Sequence, residues 1–153
     1  MEKIILIGFA CSGKSYLGRR WAEEQGCPFV DTDTLIEEHF GGQSSCSELW
    51  KRFGQARFRE VEREVIFSLE AKEAVIATGG YVGTDRALME HLRKDGQAIY
   101  LESSFEVVYE RICKRGVPAY AREGDSFQIL KELFLQRAPL YSRHSDLVLM
   151  ISR

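Results

Sequence analysis

The chain has 153 residues, of which 44% are apolar and 29% charged, with a formal net charge of −2. This is the composition of one globular domain with a core of its own, with no electrostatic case for binding nucleic acid or an anionic membrane. No apolar run approaches the roughly 18 residues of a membrane span.

Residues 3–7 are short and apolar and read as a buried strand. The strand follows Met1 and Glu2 so closely that no room is left for a signal peptide. Residues 8–15 spell G-x-x-x-x-G-K-S, and 15–25 read as a helix with Leu17, Trp21 and Ala22 on one side. Strand, glycine-rich turn and helix N-terminus form the context of a phosphate-binding loop. Its glycines let backbone N–H groups point at phosphates, and the helix end adds partial positive charge. Lys14 is expected to reach the β- and γ-phosphates, and the Ser15 hydroxyl to ligate Mg²⁺. Cys11 fills a position that the motif leaves open and reads as a tolerated small residue.

A second strand over 28–30 ends at Asp31-Thr32-Asp33, and a helix follows over 32–40, broken by Gly41-Gly42. A short helix over 44–53 is ended by Gly54. Phe58, Val61, Val65, Ile66 and Leu69 recur at helical spacing over 55–71. Strands are expected over 73–78, 97–101 and 147–151, and helices over 85–93, 104–115 and 126–140. The stretch 116–125 contains Pro118 and reads as a loop. Strands alternating with helices, and lacking clean apolar–polar alternation, predict an α/β fold with a parallel sheet covered on both faces. Ligands in such folds bind beyond the carboxyl ends of the strands. The phosphate loop, the Asp31/Asp33 pair and Gly79-Gly80 all fall on that edge.

Cys11, Cys27, Cys46 and Cys113 show no paired spacing and do not cluster with the three histidines. Free thiols in a reducing cytoplasm, without zinc, are the expectation.

Residues two apart in an extended stretch face the same side, so Asp31 and Asp33 are read together. One could bind Mg²⁺ and the other accept a proton from an acceptor hydroxyl. The plainer reading is a helix-capping Asp-Thr-Asp turn. Arg59 and Glu62 are spaced i, i+3 on the long helix and can pair. A fork-shaped guanidinium at that place suits a carboxylate substrate. A solvated helix face is the plainer reading there, as it is for Arg137.

Taken in order, these pieces resemble the motif set of shikimate kinases: the phosphate loop of 8–15, Phe29-Val30-Asp31-Thr32-Asp33, Phe58-Arg59-Glu60-Val61-Glu62, Ala77-Thr78-Gly79-Gly80 and Arg137-Ala138-Pro139-Leu140-Tyr141. The resemblance covers nearly the whole chain. It implies a three-layer α/β/α P-loop kinase with a five-stranded parallel sheet, a helical substrate-binding part at about 32–71 and a mobile lid at about 113–126. It also implies ATP- and Mg²⁺-dependent transfer to the 3-hydroxyl of shikimate, in aromatic amino-acid biosynthesis. The partner would be that small molecule, with no nucleic acid or membrane, and the protein a cytoplasmic monomer. Gly8, Ser12, Gly13, Lys14, Ser15, Tyr16 and Arg111 would hold ATP, with Arg111 packing on adenine. Lys14 and Asp33 would be catalytic, Ser15 and Asp31 would hold the metal, the latter through water, and Asp33, Arg59, Gly79, Gly80 and Arg137 would bind shikimate. Glu62 would support Arg59.

Three departures stand out. The family's lid arginine is Val117 here, with Arg115 and Arg122 as candidate substitutes, and the third glycine after the threonine is Tyr81. The chain ends after the last strand, where the family adds a helix. Two alternatives therefore stay open: a kinase of another hydroxy acid such as gluconate, and a catalytically impaired binding protein. A GTPase switch is not expected, because no N-K-x-D or T-K-x-D motif occurs.

Overall fold

A computed structural model describes residues 2–122 and 124–151. The chain runs β1 (Lys3–Ile7), α1 (Lys14–Gln25), β2 (Phe29–Asp31), α2 (Thr32–His39), α3 (Cys46–Phe67), β3 (Val75–Ala77), α4 (Arg86–Leu92), β4 (Gly96–Glu102), α5 (Phe105–Arg115), α6 (Ser126–His144) and β5 (Leu147–Met150). Short 3₁₀ turns occupy Val82–Thr84 and Ala119–Ala121. The strands form one sheet in the order β2-β3-β1-β4-β5, and every pairing is parallel. This is the three-layer α/β/α architecture that the strand–helix alternation implied.

Central β1 is buried at every position, flanked by β3 and β4, with Ile5 opposite both Ile76 and Ala98. A strand buried on both faces cannot alternate with polar residues, so after Lys3 the strand reads as a continuous apolar run, Ile4 to Ile7. Ile5, Ile7, Ile76 and Tyr100 pack with Leu88, Met89, Val108, Ile112 and Leu130 of α4, α5 and α6. Ile4, Leu6, Val75 and Leu101 pack on the opposite face with Ala22, Leu17 and Trp21 of α1. A third cluster lies away from the sheet, where Ile36 of α2 meets Leu49, Phe58 and Val61 of α3. That cluster carries Arg59. Strand β5 is the open edge, with Leu147 through Met150 all exposed. Among the described residues no helix is long and apolar enough to cross a membrane.

Several boundaries differ from the sequence expectation. The two helices expected on either side of Gly54 follow one another as α3, with Gly54 at φ 82°, ψ 168° as a kink. The left-handed φ is the reason glycine stands there. Helix α3 begins after Ser45, because Ser45 and Glu48 form a reciprocal capping box. It ends at Phe67 rather than 71. Helix α6 was expected to stop at 140, yet it runs through Pro139 to His144. Its last turn is held from outside: Tyr141 is fully buried and donates its hydroxyl hydrogen to the Gly80 carbonyl, and His144 Nδ1 lies 2.8 Å from the Gly83 carbonyl. A neutral imidazole must carry its proton on Nδ1 to make that bond.

Candidate active site

The phosphate loop bridges β1 and α1. Gly13 precedes the helix at φ 95°, and Cys11 also adopts a left-handed φ of 60°. Cys11 thus holds a conformation uncommon for a residue with a Cβ. Its carbonyl accepts from Arg111 Nη1 at 3.2 Å, which ties α5 to the loop. The Lys14 ammonium is buried and donates to the carbonyls of Gly8 (2.7 Å) and Phe9 (2.8 Å). Burial pulls its pKa down to about 8, against the opposing charges of Asp33 and Asp31. The buried Ser12 hydroxyl has no hydrogen-bond partner among the described residues.

Asp31 is both a cap and part of the site. One of its oxygens accepts the Asp33 N–H at 2.9 Å to start α2, and the other accepts from the Ser15 hydroxyl at 2.7 Å. A hydroxyl and a carboxylate held together at a phosphate loop form a hard oxygen donor set that fits Mg²⁺. The two aspartates do not share an extended stretch: Asp31 ends β2, whereas Asp33 lies in the first turn of α2. They still face one region. Burial and then the Asp31 charge push Asp33 up to about 6, while Lys14 and Arg115 oppose the shift.

The end of β3 explains its two glycines. A Cβ on Gly79 would lie 2.7 Å from Asp33 Oδ1, and one on Gly80 would lie 3.2 Å from Arg137 Nη1. Only bare backbone lets a carboxylate and a guanidinium come this close. Glu62 reaches the same strip, 3.6 Å from the Gly79 Cβ position, and pairs with Arg59 Nη1 at 2.9 Å. Burial lifts the Glu62 carboxyl to about 7, and the Arg59 charge beside it works against that rise. Arg59 Nε is buried and has no acceptor among the described residues.

A cavity of about 1020 Å³ joins these parts. Its wall includes the loop from Ala10 to Leu17, Asp31, Asp33, Gly79, Gly80, Arg111 and, from the end of α5 and the segment after it, Arg115, Val117 and Arg122. Arg59, Glu62 and Arg137 are not in this wall; Glu62 and Arg137 approach its Gly79-Gly80 strip, and Arg59 pairs with Glu62. Tyr16 stands largely exposed at the rim. Between α5 and α6, Arg122 Nε donates to the Val117 carbonyl at 2.7 Å, and Tyr120 meets Trp50 edge-on at 5.8 Å.

The contacts of three residues escaped the sequence reading. Thr32 is fully buried and its hydroxyl accepts the Gly79 N–H at 3.1 Å, locking the end of β2 to the end of β3. Tyr141 fixes the Gly80 carbonyl, and Tyr81 lies face-on to Arg59. The Asp-Thr-Asp spacing could have flagged Thr32. No sequence signal joins Tyr141 to Gly80, 61 residues away.

Known proteins are similar to this chain in sequence and in fold. The family described as shikimate kinase matches residues 10–152. A shikimate kinase of Thermodesulfovibrio yellowstonii is 37% identical over 144 residues, covering 94% of this chain and 82% of that protein. One from Paramagnetospirillum magneticum is 36% identical over 146 residues, covering 95% and 74%. The solved structure of the Acinetobacter baumannii shikimate kinase in complex with shikimate superposes with a TM-score of 0.90 at 28% identity, covering 100% of this chain and 85% of that one.

Proposed function

The chain belongs to the shikimate kinase family, and from that premise we propose how its residues move the γ-phosphoryl group of ATP to the 3-hydroxyl of shikimate. The observation that carries the reading is the approach of the Asp33 carboxylate to Gly79 and of the Arg137 fork to Gly80, with Glu62, paired to Arg59, reaching the same strip. A hydroxylated acid needs such a set: an acceptor for its hydroxyl proton and cations for its carboxylate.

The N–H groups of the loop from Gly8 to Ser15, with the Ser12 hydroxyl, would cradle the triphosphate. Lys14 would exchange its two carbonyl acceptors for phosphate oxygens. Ser15 and Asp31 would hold Mg²⁺, Asp31 through water, and the bound ion would offset phosphate charge. Arg111 and Tyr16 line the same cavity as the loop, and Arg111 would pack on adenine. The shikimate 3-oxygen attacks the γ-phosphorus, the bond from that phosphorus to ADP breaks, and the hydroxyl proton passes to Asp33. A carboxyl with its pKa near 6 is largely ionised at neutral pH and still basic enough to take that proton. Arg59 and Arg137 clamp the shikimate carboxylate, and Glu62 orients Arg59.

The helices of 32–71 then serve as the acceptor part and 113–126 as the lid. Of the two lid arginines we favour Arg115 as the cation that replaces the family's arginine at Val117. Its charge acts on Asp33, whereas Arg122 is engaged with the Val117 carbonyl. Tyr81 does not obstruct the fold, since its φ of −80° needs no glycine. We place the reaction in the cytoplasm, on a monomer whose only partners are small molecules. Nothing in the site favours gluconate over shikimate.

Ligand binding tests the acceptor assignment. Trp50, at 5.0 Å from the Arg59 guanidinium, is placed to report it by fluorescence. Shikimate should change that signal and gluconate should not. The reverse would transfer the clamp to another acid.

A further inference from the structure

We propose that Tyr81 positions the acceptor clamp, its ring serving as a fixed plate that holds the Arg59 guanidinium edge-on to the substrate carboxylate; this rests on the reading of Arg59 given above.

The Arg59 guanidinium carbon lies 4.0 Å from the centre of the Tyr81 ring. That is closer than its approach to Trp50 (5.0 Å) or Phe58 (5.7 Å). The electron-rich ring face attracts a cation held at this distance. Tyr81 is pinned at both ends. Its hydroxyl donates to Asp85 Oδ2 at 3.2 Å, and the other Asp85 oxygen accepts the Leu88 N–H at 3.1 Å as the cap of α4. The Tyr81 carbonyl accepts from both the N–H (2.9 Å) and the hydroxyl (2.6 Å) of Thr84. Swinging the ring away would break the hydroxyl's bond to Asp85, the side chain that caps α4.

A plate fixed in this way restricts the fork. One Arg59 donor is committed to Glu62 at 2.9 Å and the guanidinium lies over the Tyr81 ring, which leaves its other in-plane N–H groups as the donors for a carboxylate. The edge is where a guanidinium binds a carboxylate in two-point fashion. Holding a long side chain in place beforehand also removes part of the ordering cost from substrate binding. The residue acts through Arg59 on a group remote from the transferred phosphoryl. Its effect should therefore fall on ground state and transition state alike, and appear in KM more than in kcat.

Steady-state kinetics of the full chain with ATP and shikimate test this. Tyr81→Leu removes the ring and should raise the shikimate KM about tenfold, with kcat and the ATP KM within about twofold of wild type. Tyr81→Phe keeps the ring and should stay within about threefold of wild type. In an Arg59→Ala background the same Tyr81→Leu change should add less than about twofold, because the two residues act as one unit. Should Tyr81→Leu prove unstable by thermal melting, Tyr81→Met, similar in length and ringless, gives the same readout. An unchanged shikimate KM in the ringless variants, or an equal tenfold loss without Arg59, would overturn the proposal. A wild-type chain that turns over shikimate normally beside such a result removes only Tyr81. A wild type without shikimate turnover removes the functional reading itself.

Discussion

The proposed nucleotide side comes mostly from one continuous stretch, residues 8–16, joined by Asp31 and Arg111, whereas the proposed acceptor side collects Asp33, Arg59, Glu62, Gly79, Gly80 and Arg137 from four separate segments. The two also store opposite charge costs. On the nucleotide side a buried cation is pushed down to about 8; on the acceptor side two buried carboxyls are pushed up, to about 6 and about 7. A local motif owes its geometry to its own backbone. A dispersed one owes it to packing, and it carries its function in groups that the fold would be more stable without.

Breaking the acceptor side should cost most at its reacting centre. Asp33→Asn should lower kcat by roughly 10²–10⁴-fold while ATP affinity is retained, as expected for loss of a general base. A wild-type kcat measured at saturating substrates would remove Asp33 from the proton transfer. Arg59→Ala should raise the shikimate KM by about 10–100-fold, the span expected for a lost charged hydrogen bond. An unchanged KM would take Arg59 out of the clamp.

The opposite pKa shifts separate the two sides by pH. The value of kcat/KM for shikimate should rise as pH passes about 6, where Asp33 loses its proton, and kcat/KM for ATP should fall above about 8, where Lys14 loses its own. Profiles flat from pH 5 to 9 would contradict both assignments. The smallest effect is on stability. The folded Glu62 carboxyl binds its proton more tightly than in the unfolded chain, where its pKa is about 4.5. Its contribution is therefore full below that value and is lost as pH rises towards 7. Glu62→Gln has no such loss. Between pH 5 and 7.5 the wild-type Tm should drop by a few degrees more than that of the variant, or about 2–4 °C per kcal/mol lost at this size. Parallel Tm curves would show that Glu62 is not strained.

Much of this was legible in the residues, and the limits follow the same division. Strand β1, the loop and α1 follow from an apolar run, spaced glycines and helical periodicity, all local. Asp31 was legible as a cap, and its carboxylate does accept the Asp33 N–H; its other oxygen accepts from Ser15, where the metal-side role is proposed. What stayed hidden depends on distant contacts: the extension of α6 past Pro139, held by Tyr141 and His144 on the Gly80–Gly83 turn, and the buried Thr32 hydroxyl on Gly79. The sequence could mark Tyr81 as a departure from glycine, but not that its ring would face Arg59. That depended on Asp85 fixing its hydroxyl.

The most direct measurement is ADP formation from ATP and Mg²⁺ with and without shikimate, beside a Lys14→Ala control. Turnover that requires shikimate, yields its phosphate ester and vanishes in the control is the expected result. ADP release that ignores shikimate, or a folded protein that binds both ligands and forms no product, would contradict it.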